Sequence, residues 1–544
     1  MAAAHVISSD RSPVRRVGTD VDDGGAVWRL GAAGLSACAV SFVLTFTVAL
    51  LGPSLMEPGL PGPASQPPWS VAVHPPAGLT VALSGAAIVA AAAGLILSTN
   101  AIRRGWSIPV RPIVLAGIAG AVVLAFLPPF GSSDHLSYAA YGRMVVTGHN
   151  PFTTTPAHLA RLGDPVARAV QDWRTSPSVY GSLGVGVQAF AAWVGGASVR
   201  VIVFVLSLLN VLAFALTGLM LQWLGRGDQG RQLRAAVLWT ANPLMLMTLV
   251  AGAHIDTQAI VFGVAAVMLA TAAWAAARDG GGGRQQWVVW TGVGALVGLG
   301  FAVKVTTALV GAGIAVGLVL AGRPSSAVAR WIRQSTRENG GEFGNPPAVP
   351  MGAALGGLAA GFCAAVLVAL IPWGTGMFGP ALRAGSFTSI GSPWRAVRSA
   401  LRPLIGENVA EDVVKVGALV LAILLLIMLL RHLRPGDGRL LAAGAFAFVF
   451  AWLLAWPYVL PWYDGLGWAL LAILPASRLD WLMLARTTAL ALGYLPARGI
   501  PLPAGLGWLE TVVRTAITPA ALLVVLVLAI AWLWPGDRIK LVTA

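Results

Sequence analysis

Long apolar runs recur along almost the whole chain, each closed off by a short polar or Pro/Gly-rich break. A bilayer core of about 30 Å takes roughly 20 residues of helix, and only helices or closed barrels satisfy their backbone groups there. The runs are continuous rather than alternating, which excludes a barrel. Helices are predicted at 28–52, 79–99, 112–129, 199–224, 235–251, 257–277, 287–302, 305–322, 350–372, 413–431, 438–456, 463–477, 484–496 and 515–535. The expected fold is therefore an all-α polytopic membrane protein of about fourteen spans within residues 27–535. The stretch 287–322 reads as a hairpin or as one broken helix.

Charge then orients the spans. Only 10% of the 544 residues are charged, and the net +15 is almost all arginine, the lysines being Lys304, Lys415 and Lys540. Arginines mark the short loops 103–111, 226–234, 278–284, 323–337, 431–439 and 478–486; two long loops carry arginines as well, but long loops are exempt from the orientation rule. Under the positive-inside rule the short loops face the cytoplasm, as do both termini. Scattered in this way they mark membrane edges rather than a nucleic-acid surface. The expected setting is a plasma membrane. Residues 1–26 read as a disordered cytoplasmic tail and 536–544 as a second short one. The run at 28–52 is too long for a signal-peptide core and is expected to remain as an anchor.

This orientation leaves two long external loops, 130–198 and 373–412, with short amphipathic patterns at 157–173 and 393–404 that suit the bilayer surface. Cys38 and Cys363 lie inside apolar runs and read as buried small hydrophobes. No CxxC or HExxH pattern occurs.

The candidate chemistry gathers at the predicted external ends. Asp134 follows the third span; it reads as a base for a hydroxyl nucleophile, or as a helix cap. A helix from there puts Tyr138 and Tyr141 on the face of Asp134, with Arg143 close by. His254 and Asp256 stand in a very short turn, suited to a sugar hydroxyl, a phosphate or a metal, or to capping. Lys304 interrupts the apolar stretch 288–322; it either snorkels or meets an anion. Trp456, Trp462 and Tyr463 fit an interfacial belt or a sugar-stacking surface, and Asp464 is a second possible acid. Arg383, Arg395, Arg398 and Arg402 suit a phosphate clamp or anionic lipid.

Several short motifs occur in a set order. They are Asp134-His-Leu-Ser-Tyr138 with Gly142-Arg143, Asn150-Pro151-Phe152, Ser178-Val-Tyr180-Gly181, Asn242-Pro243 before His254-Ile-Asp256, Val303-Lys304-Val305, and Pro461-Trp462-Tyr463. In this order the chain resembles the GT-C membrane glycosyltransferases, and among them the actinobacterial polyprenyl-phosphomannose-dependent α-(1→6)-mannosyltransferases. It departs from their pattern at His-Ile-Asp, after Tyr180-Gly181, and at Asp464. The resemblance implies a polyprenyl-phosphate sugar donor and a glycan or glycolipid acceptor of the cell envelope. It makes Asp134 the general base of an inverting transfer. Tyr138, Arg143, Tyr180, His254, Asp256, Lys304, Arg395, Trp462 and Tyr463 become substrate-binding candidates. No cofactor is implied, and a monophosphate leaving group does not require a metal. A pentose transferase, or a transporter or flippase of lipid-linked sugars, are the alternatives; radiolabelled donors offered to membranes separate the three.

Overall fold

A computed structural model describes residues 21–278, 283–322, 351–433, 439–496 and 500–534. Every regular element among them is helical. The chain runs α1 (Val21–Leu51), α2 (Ala77–Arg103) and α3 (Val110–Ala125). The first long loop then holds four helices: α4 (Asp134–Val146), α5 (Pro156–Arg161), α6 (Pro165–Arg168) and α7 (Ser182–Gly195). The helix α8 (Val199–Leu224) follows, then a broken segment over 229–251, α11 (Asp256–Arg278), α12 (Gly283–Val303) and α13 (Ala308–Ala321). The last part comprises α14 (Met351–Leu370), α15 (Phe378–Ala384), α16 (Pro393–Ile405), α17 (Glu407–Arg431), α18 (Leu440–Ala455), α19 (Asp464–Ile473), α20 (Leu479–Gly493) and α21 (Thr518–Leu533).

Among the described residues nine helices are long and apolar enough to cross a membrane. They coincide with nine of the fourteen expected spans. The other five are the shorter helices α3, α13, α18, α19 and α20. At 1.5 Å per residue, ten-residue α19 reaches only about 15 Å. Hydropathy marks such a segment as buried without telling a span from a core helix. The first helix starts at Val21, ahead of its apolar run, because an established helix extends residue by residue at little cost. Residues 1–20, 535–544 and the arginine loop 323–337 lie outside the described residues.

The segment expected as one helix at 235–251 is broken in the middle. Its pieces are α9 (Gln229–Ala235) and α10 (Pro243–Met245), with π-helical turns over Ala236–Thr240 and Leu246–Ala251. Pro243 supplies no N–H to continue the first piece. Asn242 instead caps the second, its side chain accepting from Leu244 N at 3.0 Å. Almost every residue of this segment is buried, so it is the axis around which the others pack.

Small residues let the neighbouring helices close up, since apolar lipid offers no hydrophobic drive between them. Gly294 and Gly361 lie directly against the backbones of α14 and α12, and Gly313 and Gly444 do the same between α13 and α18. The stretch 287–322 is a hairpin, not one bent helix. Gly311 packs on Val297 and Gly300 on Thr307, two pairs nearly symmetric about Lys304. Lys304 is thus the tip, in extended backbone between α12 and a 3₁₀ turn at Val305–Thr307.

The helix ends separate two chemistries. At one end, Asp480 accepts from Arg103 at 2.8 Å and from both terminal nitrogens of Arg234 at 2.7 and 2.8 Å. Three arginine-bearing loops expected on one side are pinned together there. Arg234 lies near the start of the broken segment 229–251 and His254 just past its other end. The other end gathers Asp134, His254, Lys304 and the Trp462 turn.

In the long loops, the amphipathic stretch 157–173 is two short helices, not one. Pro165 starts α6 under a cap from Asp164. The second amphipathic helix is found as α16; it has no buried residue, and its Trp394 indole anchors it to the Ala455 carbonyl at 2.7 Å.

Candidate active site

Asp134 is the first residue of α4. The Ser132 hydroxyl accepts its backbone N–H at 3.0 Å, so its carboxylate is not used as a cap. Oδ1 accepts from the Trp173 indole at 3.2 Å, and Oδ2 lies 3.6 Å from Nδ1 of His254. The side chain keeps 14% of its exposure. Burial is the main reason that its carboxyl is pushed up to about 7. The charge of Asp172 adds to this, while the Trp173 N–H and Lys304 oppose it. A carboxylate with that range can accept a proton near neutral pH.

The helical period carries Tyr138 and Tyr141 onto the same wall. The Tyr180 hydroxyl donates to Tyr138 at 3.2 Å, and Tyr141 donates to the Ser176 carbonyl at 3.0 Å. Tyr180 is set by its neighbour Gly181. The Gly181 N–H bonds the Val303 carbonyl at 3.1 Å, and a Cβ at Gly181 would stand 2.2 Å from the Ala302 oxygen. Only glycine lets the first long loop rest on the chain beside Lys304.

Lys304 donates to Asp256 at 2.5 Å, and its ammonium sits 3.9 Å above the centre of the Tyr463 ring. It therefore meets an anion rather than snorkelling, and that anion is supplied by the protein. Burial lowers its pKa, and the Asp256 carboxylate works against this. Ala253, with φ +51, turns the chain in the left-handed region just before His254. The His254 ring stacks on Trp462, centroids 3.6 Å apart. Burial, with the charge of Lys304, holds the imidazole well below its usual pKa, so it is neutral.

These walls enclose a cavity of about 310 Å³. Asp134, Tyr138, Tyr180, Lys304, Trp462 and Tyr463 line it, together with Tyr141, Trp173, Phe387, Trp452, Trp456 and Tyr458. Arg383 of α15 also reaches it, and neither Arg143 nor Arg395 does. Arg143 instead bonds Asp164 at 2.7 Å, where it braces the cap of α6. Arg395 points outward from α16, exposed. Arg398 and Arg402 pair with Glu407. His254 and Asp256 stand behind the wall and hold Asp134, Trp462 and Lys304 from the rear. Asp464 is fully buried against Arg486 and Thr487, away from the cavity, which removes it as a second acid. No group of three His, Cys, Asp or Glu that could hold a metal occurs among the described residues.

Among the cavity residues not singled out from the sequence as chemical candidates are Trp173, Phe387 and Tyr458. Their rings form a chain of contacts, Trp173–Phe387 at 5.9 Å, Phe387–Tyr458 at 5.8 Å and Tyr458–Tyr463 at 6.0 Å. This chain runs from the carboxylate to the lysine. Aromatic faces and a few placed polar groups in a cavity of this size suit a sugar ring.

No solved structure matches the chain. It is similar to alpha-(1->6)-mannopyranosyltransferase A of Corynebacterium glutamicum, with 26% identity over 151 residues. That similarity spans 28% of this chain and 30% of the relative's length. The family profile described as "Alpha-(1->6)-mannopyranosyltransferase, N-terminal domain" matches residues 31–321, more than half of the 544. Asp134, Tyr138, Tyr180, His254, Asp256 and Lys304 all fall within the matched region, and the chain belongs to this alpha-(1->6)-mannopyranosyltransferase family.

Proposed function

We propose that this chain is a membrane mannosyltransferase that moves mannose from a polyprenyl-phosphate donor to a hydroxyl of an envelope glycan or glycolipid. The observation that carries the reading is a single carboxylate, Asp134, in an aromatic cavity that also presents Lys304 and Arg383. Family membership and the C. glutamicum relative supply the sugar.

Asp134 takes the proton of the acceptor hydroxyl as that oxygen attacks the anomeric carbon. The bond from that carbon to the phosphate oxygen breaks, and its electron pair leaves on the lipid phosphate. Lys304 and Arg383 stabilise the charge that develops there. The described cavity wall carries no second carboxylate, and one displacement inverts a β-linked donor to an α product. The polyprenyl chain stays in lipid, reached between the helix ends.

The site lies at the helix ends opposite the Arg103–Arg234–Asp480 cluster. With that cluster cytoplasmic by the positive-inside rule, chemistry takes place on the extracytoplasmic face of the plasma membrane.

Membranes containing the full chain should be given radiolabelled polyprenyl-phosphate mannose and, separately, a polyprenyl-phosphate pentose. Transfer of mannose to glycan in an α linkage is the expected result. Pentose transfer, or translocation of label without new glycosidic bonds, overturns the reading.

A further inference from the structure

The cavity has one feature that base and cation chemistry leaves unused. Trp173 lies in left-handed backbone, φ +60, an uncommon state for a bulky residue. It is held there from α4. Ser133 donates to the Asp172 carboxylate, and Ser137 donates to the Asp172 carbonyl at 3.3 Å. The indole is nonetheless 39% exposed and the neighbouring Phe387 37%. Their rings are 14° from parallel. Phe387 is itself fixed, because Ser389 two residues on exchanges 2.9 Å bonds with Val459 through its hydroxyl. So one latched ring from each long loop meets over the cavity, and the edge of one of them touches the carboxylate.

We propose that Trp173 and Phe387 form the acceptor-sugar subsite. The inference rests on the transferase reading above. The attacking hydroxyl must reach Asp134, and Trp173 is the aromatic surface bonded to that carboxylate. The lipid phosphate belongs with Lys304 and Arg383, which leaves this platform to the incoming glycan. A pyranose laid with its C–H face on the pair presents a ring hydroxyl toward Asp134. Trp173 is a positioning residue for the carboxylate as well, because its N–H occupies one face of Oδ1.

The test uses the full chain in detergent micelles, with polyprenyl-phosphomannose as donor and a synthetic α-mannobioside as acceptor. Acceptor binding is measured calorimetrically and turnover by product formation. Trp173→Ala and Phe387→Ala should each weaken mannobioside binding and raise acceptor KM by about three- to tenfold, with donor KM within twofold. Trp173→Phe keeps the stack and loses the N–H. It should keep acceptor KM within about twofold and move the acid limb of the rate to higher pH, because the indole N–H that holds the Asp134 carboxyl down is lost while Asp172, His254, Lys304, Asp256, Arg383 and the tyrosines Tyr138, Tyr141, Tyr180, Tyr458 and Tyr463 around it are unchanged. If Trp173→Ala does not fold, Phe387→Ala and Trp173→Phe still decide the matter. A rise in donor KM alone, or unchanged acceptor binding in Phe387→Ala, overturns the subsite. Mannobioside binding that depends on Trp173 without any transfer upholds the subsite and sinks the transferase reading; no binding to the wild-type protein sinks the subsite.

Discussion

Lys304 has two jobs in this account, and a pair of substitutions separates them. The ammonium is held at 2.5 Å by Asp256, with side chains only 13% and 8% exposed. Lys304→Met removes the cation and strands a buried carboxylate, which costs about 3–5 kcal/mol in pairs of this kind. A marked drop in unfolding temperature is expected. Adding Asp256→Asn removes the stranded charge and should recover most of that loss. Turnover should behave differently. A positioned cation facing developing phosphate charge is worth about 10²–10³ in kcat, and nothing in the double variant replaces it. Thermal unfolding in detergent and initial rates at saturating donor give the two numbers. The prediction is a repaired fold with kcat still at least a hundredfold down. A double variant that regains turnover together with stability would show that Lys304 serves only to hold Asp256, and the phosphate role would be lost.

Transfer should rise with pH through about 7, because Asp134 works only when ionised and burial holds its carboxyl near that value. Below that point the rate should fall about tenfold per pH unit. A profile flat from pH 5 to 8 speaks for an unperturbed carboxylate or a different base. Gly181→Ala places a Cβ 2.2 Å from the Ala302 oxygen, so the loop bearing Tyr180 must lift from the Lys304 turn. The expected cost is about 1–3 kcal/mol with a loss of turnover; a wild-type unfolding temperature would contradict the packing. Arg383→Ala should raise donor KM several-fold and Arg395→Ala should not, since only the first reaches the cavity. Equal effects in donor titrations would count against the cavity as the donor site.

The apolar runs were readable because lipid demands helical backbone wherever it is exposed to it, and the boundaries of α8 and α11 came close to the hydropathy edges. The tip at Lys304 was readable for the same reason, as a charge in an apolar run needs either a break or a partner. Its partner was less plain, since Asp256 lies 48 residues away and pairs with Lys304 only after α11 and α12 have packed. Arg383 and Arg395 look alike on one loop, and only the seating of α15 beside the Lys304 turn tells them apart. Trp173 was hidden further. Its place depends on a left-handed backbone and on Ser133 and Ser137 over 35 residues upstream, and no local pattern announces either. Asp464 looked like an acid at a helix start; Arg486, 22 residues on, makes it part of the core.

The claim on which the account turns is that the Asp134 carboxylate takes the acceptor proton. Asp134→Asn keeps the size of the side chain and can still meet the Trp173 indole. Its transfer rate should be measured with polyprenyl-phosphomannose and a mannoside acceptor, alongside donor binding and unfolding temperature. The account predicts a folded protein that binds donor normally and transfers at least a hundredfold more slowly. A folded Asp134→Asn protein that transfers mannose at the wild-type rate would contradict it.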